Sequence, residues 1–149
     1  MAKGRHLLID CTGVPPEVCG DDKLVLKAMA TAAERAGATV ISQVRYHFGH
    51  NSAPGFTAMV LLDESHCSAH AYSDEGLLAL DIFTCGNTDP RDVLAYMQEM
   101  LDLGDITVQH CERFHLPGER FRAPEIAVSL KAFRTETLEL AAVNGNGHD

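Results

Sequence analysis

The stretch FTAMVLLDESHCSAHAYSDEGLLALDIFTCG, residues 56–86, decides the fold. Phe56 to Leu62 is a nearly unbroken apolar run that predicts a central strand, and it stops abruptly at Asp63-Glu64-Ser65-His66. Residues 77–83 (LLALDIF) predict another strand, followed by a turn around Cys85-Gly86-Asn87. Short links between strands suit antiparallel pairing, because a parallel pair needs a long crossover.

Working outward, residues 5–11 (RHLLIDC) read as a strand that Gly13-Val-Pro-Pro breaks. Residues 39–47 alternate as a half-buried strand, with Val40, Val44 and Tyr46 expected on one side. Residues 48–55 read as a loop, and residues 105–113 as a strand with Ile106 and Val108 on one side. Two helices separate these runs. From Asp21 to Ala36 apolar residues recur at helical spacing, with Asp21 or Asp22 to cap the start and Gly37 to close the end. Asp89-Pro90 opens the second, whose inner stripe is Val93, Leu94, Met97 and Leu101, and Gly104 ends it. Ile126 to Phe133 could add a strand, and residues 136–149 read as a flexible tail after one domain over residues 1–135. The pattern predicts an α/β (α+β) two-layer sandwich, with a mainly antiparallel sheet and both helices on one face.

A net charge of −9 argues against a phosphate-tracking surface and so against nucleic acid as partner. No apolar run approaches the roughly 20 residues that span a bilayer. With no signal-peptide segment at the start, the expectation is a cytoplasmic protein free of the membrane. Five cysteines, with no C-x₂-C pair, do not make a disulfide framework.

Chemistry concentrates between Glu64 and Gly86, where a serine follows an acidic pair, with His66, His70 and Cys85 beyond it. Ser65 beside His66 suggests a hydrolase, but the G-x-S-x-G elbow is absent. His66 and His70 have the H-x₃-H gap of a zinc site without matching cysteines, so no metal is expected. Cys67 reads as packing, and Cys11, Cys19, Cys111, His110 and His115 as structural residues.

Glu64-Ser65-His66, with Ser68 and His70, closely resembles the ESHxSxH processing motif of bacterial and archaeal S-adenosylmethionine decarboxylases. Asp81-Ile-Phe-Thr-Cys-Gly86 resembles their D-[IVL]-F-T-C-G motif at the expected distance, and Gly4-Arg-His-Leu7 and Ala36-Gly-Ala-Thr-Val40 resemble their N-terminal part. The resemblance covers roughly residues 4–113.

It implies that the Ser65 hydroxyl attacks the Glu64 carbonyl and turns the peptide into an ester. Elimination then leaves dehydroalanine, which hydrolyses to a pyruvoyl group. Two chains would result, 1–64 and 65–149, the second starting with pyruvoyl in place of Ser65. The only cofactor implied is this group, which forms a Schiff base with the substrate amine and accepts the electrons left as CO₂ departs. By the same resemblance His70 serves processing, and Thr57 falls where an assisting serine is usual. Cys85 is the expected proton donor to the decarboxylated carbon, since a thiol's reference pKa near 8.5 is within reach of neutral pH. The implied partners are a small amino-acid-type substrate and a second copy, in a homodimer of cleaved protomers.

The family usually continues T-W-P-E-x-G after the processing histidine, where this chain reads Ala71-Tyr-Ser-Asp-Glu-Gly76. Asp74 then takes the place of the glutamate expected on the ribose hydroxyls. Of the two rings expected on the adenine, Cys11 falls at one position and Phe48 is the candidate for the other. The leading reading is decarboxylation of S-adenosylmethionine to supply aminopropyl groups for spermidine. Arginine or ornithine as substrate, an uncleaved binding or regulatory member, and a metal module stand as alternatives.

Overall fold

A computed structural model of the chain describes residues 3–63 and 65–114. Glu64, the possible strand at residues 126–133 and the tail at residues 136–149 lie outside them. The elements are β1 (Gly4–Thr12), α1 (Pro16–Cys19), α2 (Asp22–Arg35), β2 (Val40–Phe48), β3 (Gly55–Leu62), β4 (Ser65–Tyr72), β5 (Leu77–Cys85), α3 (Pro90–Met100) and β6 (Asp105–Arg113). The described strands form one sheet in the order β2-β3-β4-β5-β1-β6, with every neighbouring pair antiparallel.

Alternation divides the sheet into two faces. Leu7, Ile9 and Cys11 of β1, Phe56, Ala58 and Val60 of β3, and Leu78, Leu80 and Ile82 of β5 are buried with Cys67, Ala69 and Ala71 of β4. Val25, Ala28, Met29, Ala32 and Ala33 of α2 and Val93 and Met97 of α3 complete this core. Both long helices therefore cover one face, as expected. Asp21 caps α2 by accepting from the Leu24 amide at 2.9 Å, and Asp89 caps α3 by accepting from the Arg91 amide at 2.9 Å.

Three readings are corrected here. The eight residues Ser65–Tyr72 form a strand, β4, that the apolar pattern did not reveal. Its core-facing residues are only cysteine and alanine, so it lacks the large apolar residues that advertise a strand. Next, Val40 does not share a side with Val44 and Tyr46. A bulge between Val40 and Ser42 inserts one residue, so Val40 packs towards the core while Val44 and Tyr46 face away and are 61% and 69% exposed. Finally, β2 is an edge strand and not half-buried. Part of its anchorage is ionic: Arg45 binds the Asp22 carboxylate, which is 7% exposed at the start of α2. Burial alone would raise the Asp22 pKa, but the Arg45 partner outweighs it and the net shift is downward.

Asp89 gives a test of the α3 start. Its carboxyl is held down to about 2, chiefly by the Arg91 hydrogen bond, with Arg5 adding charge. That value lies below an unfolded carboxyl near 3.9, so the stabilisation is present above about pH 4 and is lost as pH falls through about 2. Asp89→Ala is expected to cost about 1 kcal/mol in urea unfolding at pH 7. The gap to wild type should close as the pH is taken from 4 towards 2.

Candidate active site

The face away from the helices carries the residues with chemistry. His6 and Leu8 of β1, Thr57, Met59 and Leu61 of β3, His66, Ser68, His70 and Tyr72 of β4, and Asp81, Phe83 and Cys85 of β5 all lie on it by register and alternation. Two groups lie one at each end of the sheet, with Ser68 and Asp81 between them.

Ser65, His66 and Cys85 share one end. Ser65 opens β4 immediately after the chain reverses from β3, and its Oγ donates to the Asp63 carbonyl at 3.3 Å. His66 lies opposite Phe83 in the β4–β5 ladder, which sets Ser65 level with Thr84 and Cys85 one residue further on. By alternation Ser65 starts from the helix side and Cys85 from the open side, so the two share an end of the sheet without facing each other. The turn after Cys85 is firmly held. Buried Thr84 donates to the Thr88 carbonyl at 2.8 Å, and Arg5 donates to the same carbonyl at 2.9 Å. Gly86, at φ 62°, makes the turn.

The opposite end holds Thr57, His70, Phe48 and Asp74. Thr57 and His70 are direct cross-strand partners, and Thr57 Oγ1 shares a 2.8 Å hydrogen bond with His70 Nδ1. The His70 ring stacks on Phe48 at 5.5 Å and meets Tyr72 edge-on at 4.9 Å, while Tyr46 stacks on Phe48 at 6.4 Å. Asp74 sits exposed in the turn that joins Tyr72 to Leu77. A recess of about 280 Å³ opens beside that turn, lined by Asp10, Cys11 and Thr12 of β1, Tyr72 of β4, and Leu77, Leu78 and Ala79 of β5.

Cys11 borders this recess, but its side chain is turned away from it. It points into the core at 1% exposure, and burial first, with Asp10 next, pushes its thiol up to about 11. The outward positions at this end of β1 are Asp10 and Thr12. Cys67, fully buried, is pushed up to about 12 by burial alone. Sequence reading also missed Tyr46, whose outward direction follows from the bulge, and the joined His6, Ser68 and Asp81. Alternation around a recognised β4 would have shown the last three on one face. His66 and His70 share that face but stand about 13 Å apart along a strand, too far for one ion. Among the described residues no group of three or more His, Cys, Asp or Glu side chains is placed to hold a metal.

The family model for S-adenosylmethionine decarboxylase matches residues 5–114. A Brevibacillus brevis S-adenosylmethionine decarboxylase proenzyme is 42% identical over 99 residues, 66% of this chain and 72% of that protein. A Syntrophomonas wolfei protein of the same description is 37% identical over 123 residues, 80% of this chain and 95% of that one. The solved adenosylmethionine decarboxylase of Aquifex aeolicus superposes with a TM-score of 0.68 at 28% identity, covering 81% of this chain and 98% of that one. The antiparallel sheet with helices on one face, and these relatives, make the chain an enzyme of the carboxy-lyase class. It belongs to the S-adenosylmethionine decarboxylase family. No helix among the described residues is long and apolar enough to cross a membrane.

Gly4 tests how tightly the Ser65 end is packed. A Cβ there would lie 2.6 and 2.7 Å from Phe83 ring atoms and 3.4 Å from Cys85 Sγ. The ring must therefore shift, although it is already packed against His6 at 5.5 Å and His66 at 5.4 Å. Gly4→Ala is expected to fold but to lose about 1–3 kcal/mol in denaturant unfolding, the scale of an overpacked site. The loss should be largely restored by adding Phe83→Leu.

Proposed function

We propose that this chain is a self-cleaving, pyruvoyl-dependent S-adenosylmethionine decarboxylase, cut between Glu64 and Ser65, whose working form is a homodimer. The observation that carries the reading is the placement of Ser65 as the first residue of a strand after a tight reversal, with Cys85 at the same end of the sheet. That placement suits both roles. The Ser65 hydroxyl is at the surface with a carbonyl neighbour, free to turn onto the preceding peptide, and the cut falls where it interrupts no strand. Once formed, the pyruvoyl group supplies a carbonyl that withdraws the electrons released as carbon dioxide leaves. Cys85, half-buried in a turn fixed by Arg5 and Thr84, supplies the proton that the substrate carbon takes in exchange.

The dimer follows from a distance. His70 is five residues along an extended strand from Ser65, so about 16 Å separates them in one copy. Proton transfer requires about 3 Å or a single bridging water. Thr57 is at the His70 end too, so neither residue can serve its own Ser65. A second copy packed on the open face, with its strands reversed, would bring its His70, Thr57, Phe48 and Asp74 to this copy's Ser65 and Cys85. The open face supports such packing, since Leu8, Val44, Tyr46, Met59, Leu61 and Tyr72 are all exposed on it.

Substrate choice follows from the His70 end. Tyr46, Phe48 and Tyr72 offer rings, and the recess beside Asp74 offers apolar walls, which suit an adenosyl group better than a bare amino acid such as arginine or ornithine. Because Cys11 belongs to the core, its small size removes nothing from an adenine site. A cytoplasmic location and supply of aminopropyl groups for spermidine go with this reading.

Intact-mass measurement of purified protein should give two chains, one ending at Glu64 and one blocked at its start, while Ser65→Ala stays whole. An intact wild-type chain after long incubation would overturn the reading. Cys85→Ser should still cleave but lose about 10²-fold or more in turnover. Cleavage of the His70→Ala chain should be impaired alone and restored when it is co-expressed with Ser65→Ala, which lends the missing imidazole across the dimer. Across S-adenosylmethionine, arginine and ornithine, kcat/KM should favour the first by about 10³-fold or more. Comparable values would hand the site to a smaller substrate.

A further inference from the structure

Three side chains on the open face are joined in a way that neither processing nor decarboxylation, as derived above, makes use of. The Asp81 carboxylate accepts from Ser68 Oγ at 3.3 Å through one oxygen and from His6 Nε2 at 3.2 Å through the other. A carboxylate donates nothing, so His6 carries its proton on Nε2. Three neighbouring strands, β4, β5 and β1, are thereby tied across their outer surface. Ser68 and Asp81 are direct cross-strand partners. His6 continues the tie through its ring, which packs on Phe83 at 5.5 Å and stands edge-on to His66 at 6.3 Å.

The consequence appears when the cleavage reading is taken up, on which this inference rests. Before cleavage the start of β4 is held covalently by the reversal from β3. Afterwards residue 65 is a free end, kept in place by ladder bonds to β3 and β5 and by whatever grips its side chains. Since Ser65 starts from the helix side and Cys85 from the open side, that end must also turn for the two to meet. Ser68 is the first open-face residue of β4 whose side chain is hydrogen-bonded across to another strand.

We propose that Asp81 is a positioning residue: through Ser68 and His6 it anchors the cleaved end of β4, so that only the residues ahead of buried Cys67 turn and the reactive group is delivered to Cys85 in a fixed register. Asp81 touches neither the cut nor the substrate in this account. Its loss should therefore spare cleavage and injure turnover.

The experiment uses full-length protein in two backgrounds, wild type (cleaved) and Ser65→Ala (uncleaved). Asp81→Ala in the wild-type background should cleave to the wild-type extent by intact mass. Its kcat should fall about tenfold or more, towards the 10²-fold that a misplacement of about 1 Å can cost, while KM stays within about twofold. Its melting temperature should drop further in the cleaved background than in Ser65→Ala, because only the cleaved end depends on the tie. Asp81→Asn keeps a polar partner for both neighbours and should recover most of the kcat. Ser68→Ala removes one arm and is read in the same way should Asp81→Ala fail to fold. Unchanged kcat in a fully cleaved Asp81→Ala, or equal drops in melting temperature in both backgrounds, overturns the proposal. An intact wild-type chain is a separate result that removes the cleavage reading and this inference with it.

Discussion

The register of the β3–β4–β5 ladder sets every other feature, because a strand's side chains change face with each residue. Phe56, Val60, Leu80 and Ile82 are each within 1% of complete burial, and each side chain of this size contributes about 1.5–3 kcal/mol by leaving water. A slip of one residue in β3 or β5 would turn these into solvent and carry Thr57 or Asp81 into the core. The same burial that stabilises the sheet therefore fixes Thr57 opposite His70 and Ser68 opposite Asp81. Small core residues on β4, Cys67, Ala69 and Ala71, let α2 approach this part of the sheet.

On the proposed reading, a single copy carries two half-sites and no whole one. Ser65 and Cys85 lie at the end where β4 begins and β5 finishes; His70, Phe48 and Asp74 lie towards the end where β4 finishes and β5 begins. An extended strand of eight residues cannot fold back on itself to join them. The helix layer on the other face is closed by its own core, which leaves the open face as the surface where the halves can meet. The proposed dimer would cover the exposed rings and aliphatic side chains on that face.

Much of this was legible in the sequence, for identifiable reasons. The caps of α2 and α3 were visible because Asp21 and the pair Asp89-Pro90 have short-range causes. The strands with large apolar residues, β1, β3 and β5, were visible for the same kind of reason, while β4 was not, since it alternates polar side chains with cysteine and alanine. The faces of β2 were misjudged because a bulge at Ile41 leaves no mark in a hydrophobic pattern. Cys11, aligned with a ring position, borders the recess as that alignment implies, while alternation turns its side chain into the core. The candidate residues were recognisable by type, but their division between two ends of the sheet is a matter of register, which only paired strands reveal.

The register can be observed directly by cross-strand nuclear Overhauser contacts in isotope-labelled protein. Contacts that place Thr57 opposite His70, Met59 opposite Ser68, and Ser68 opposite Asp81 are the predicted result. Contacts shifted by one residue, with Thr57 opposite Ala69 or Ala71, would contradict the account, since they would put Thr57 and His70 on opposite faces of the sheet.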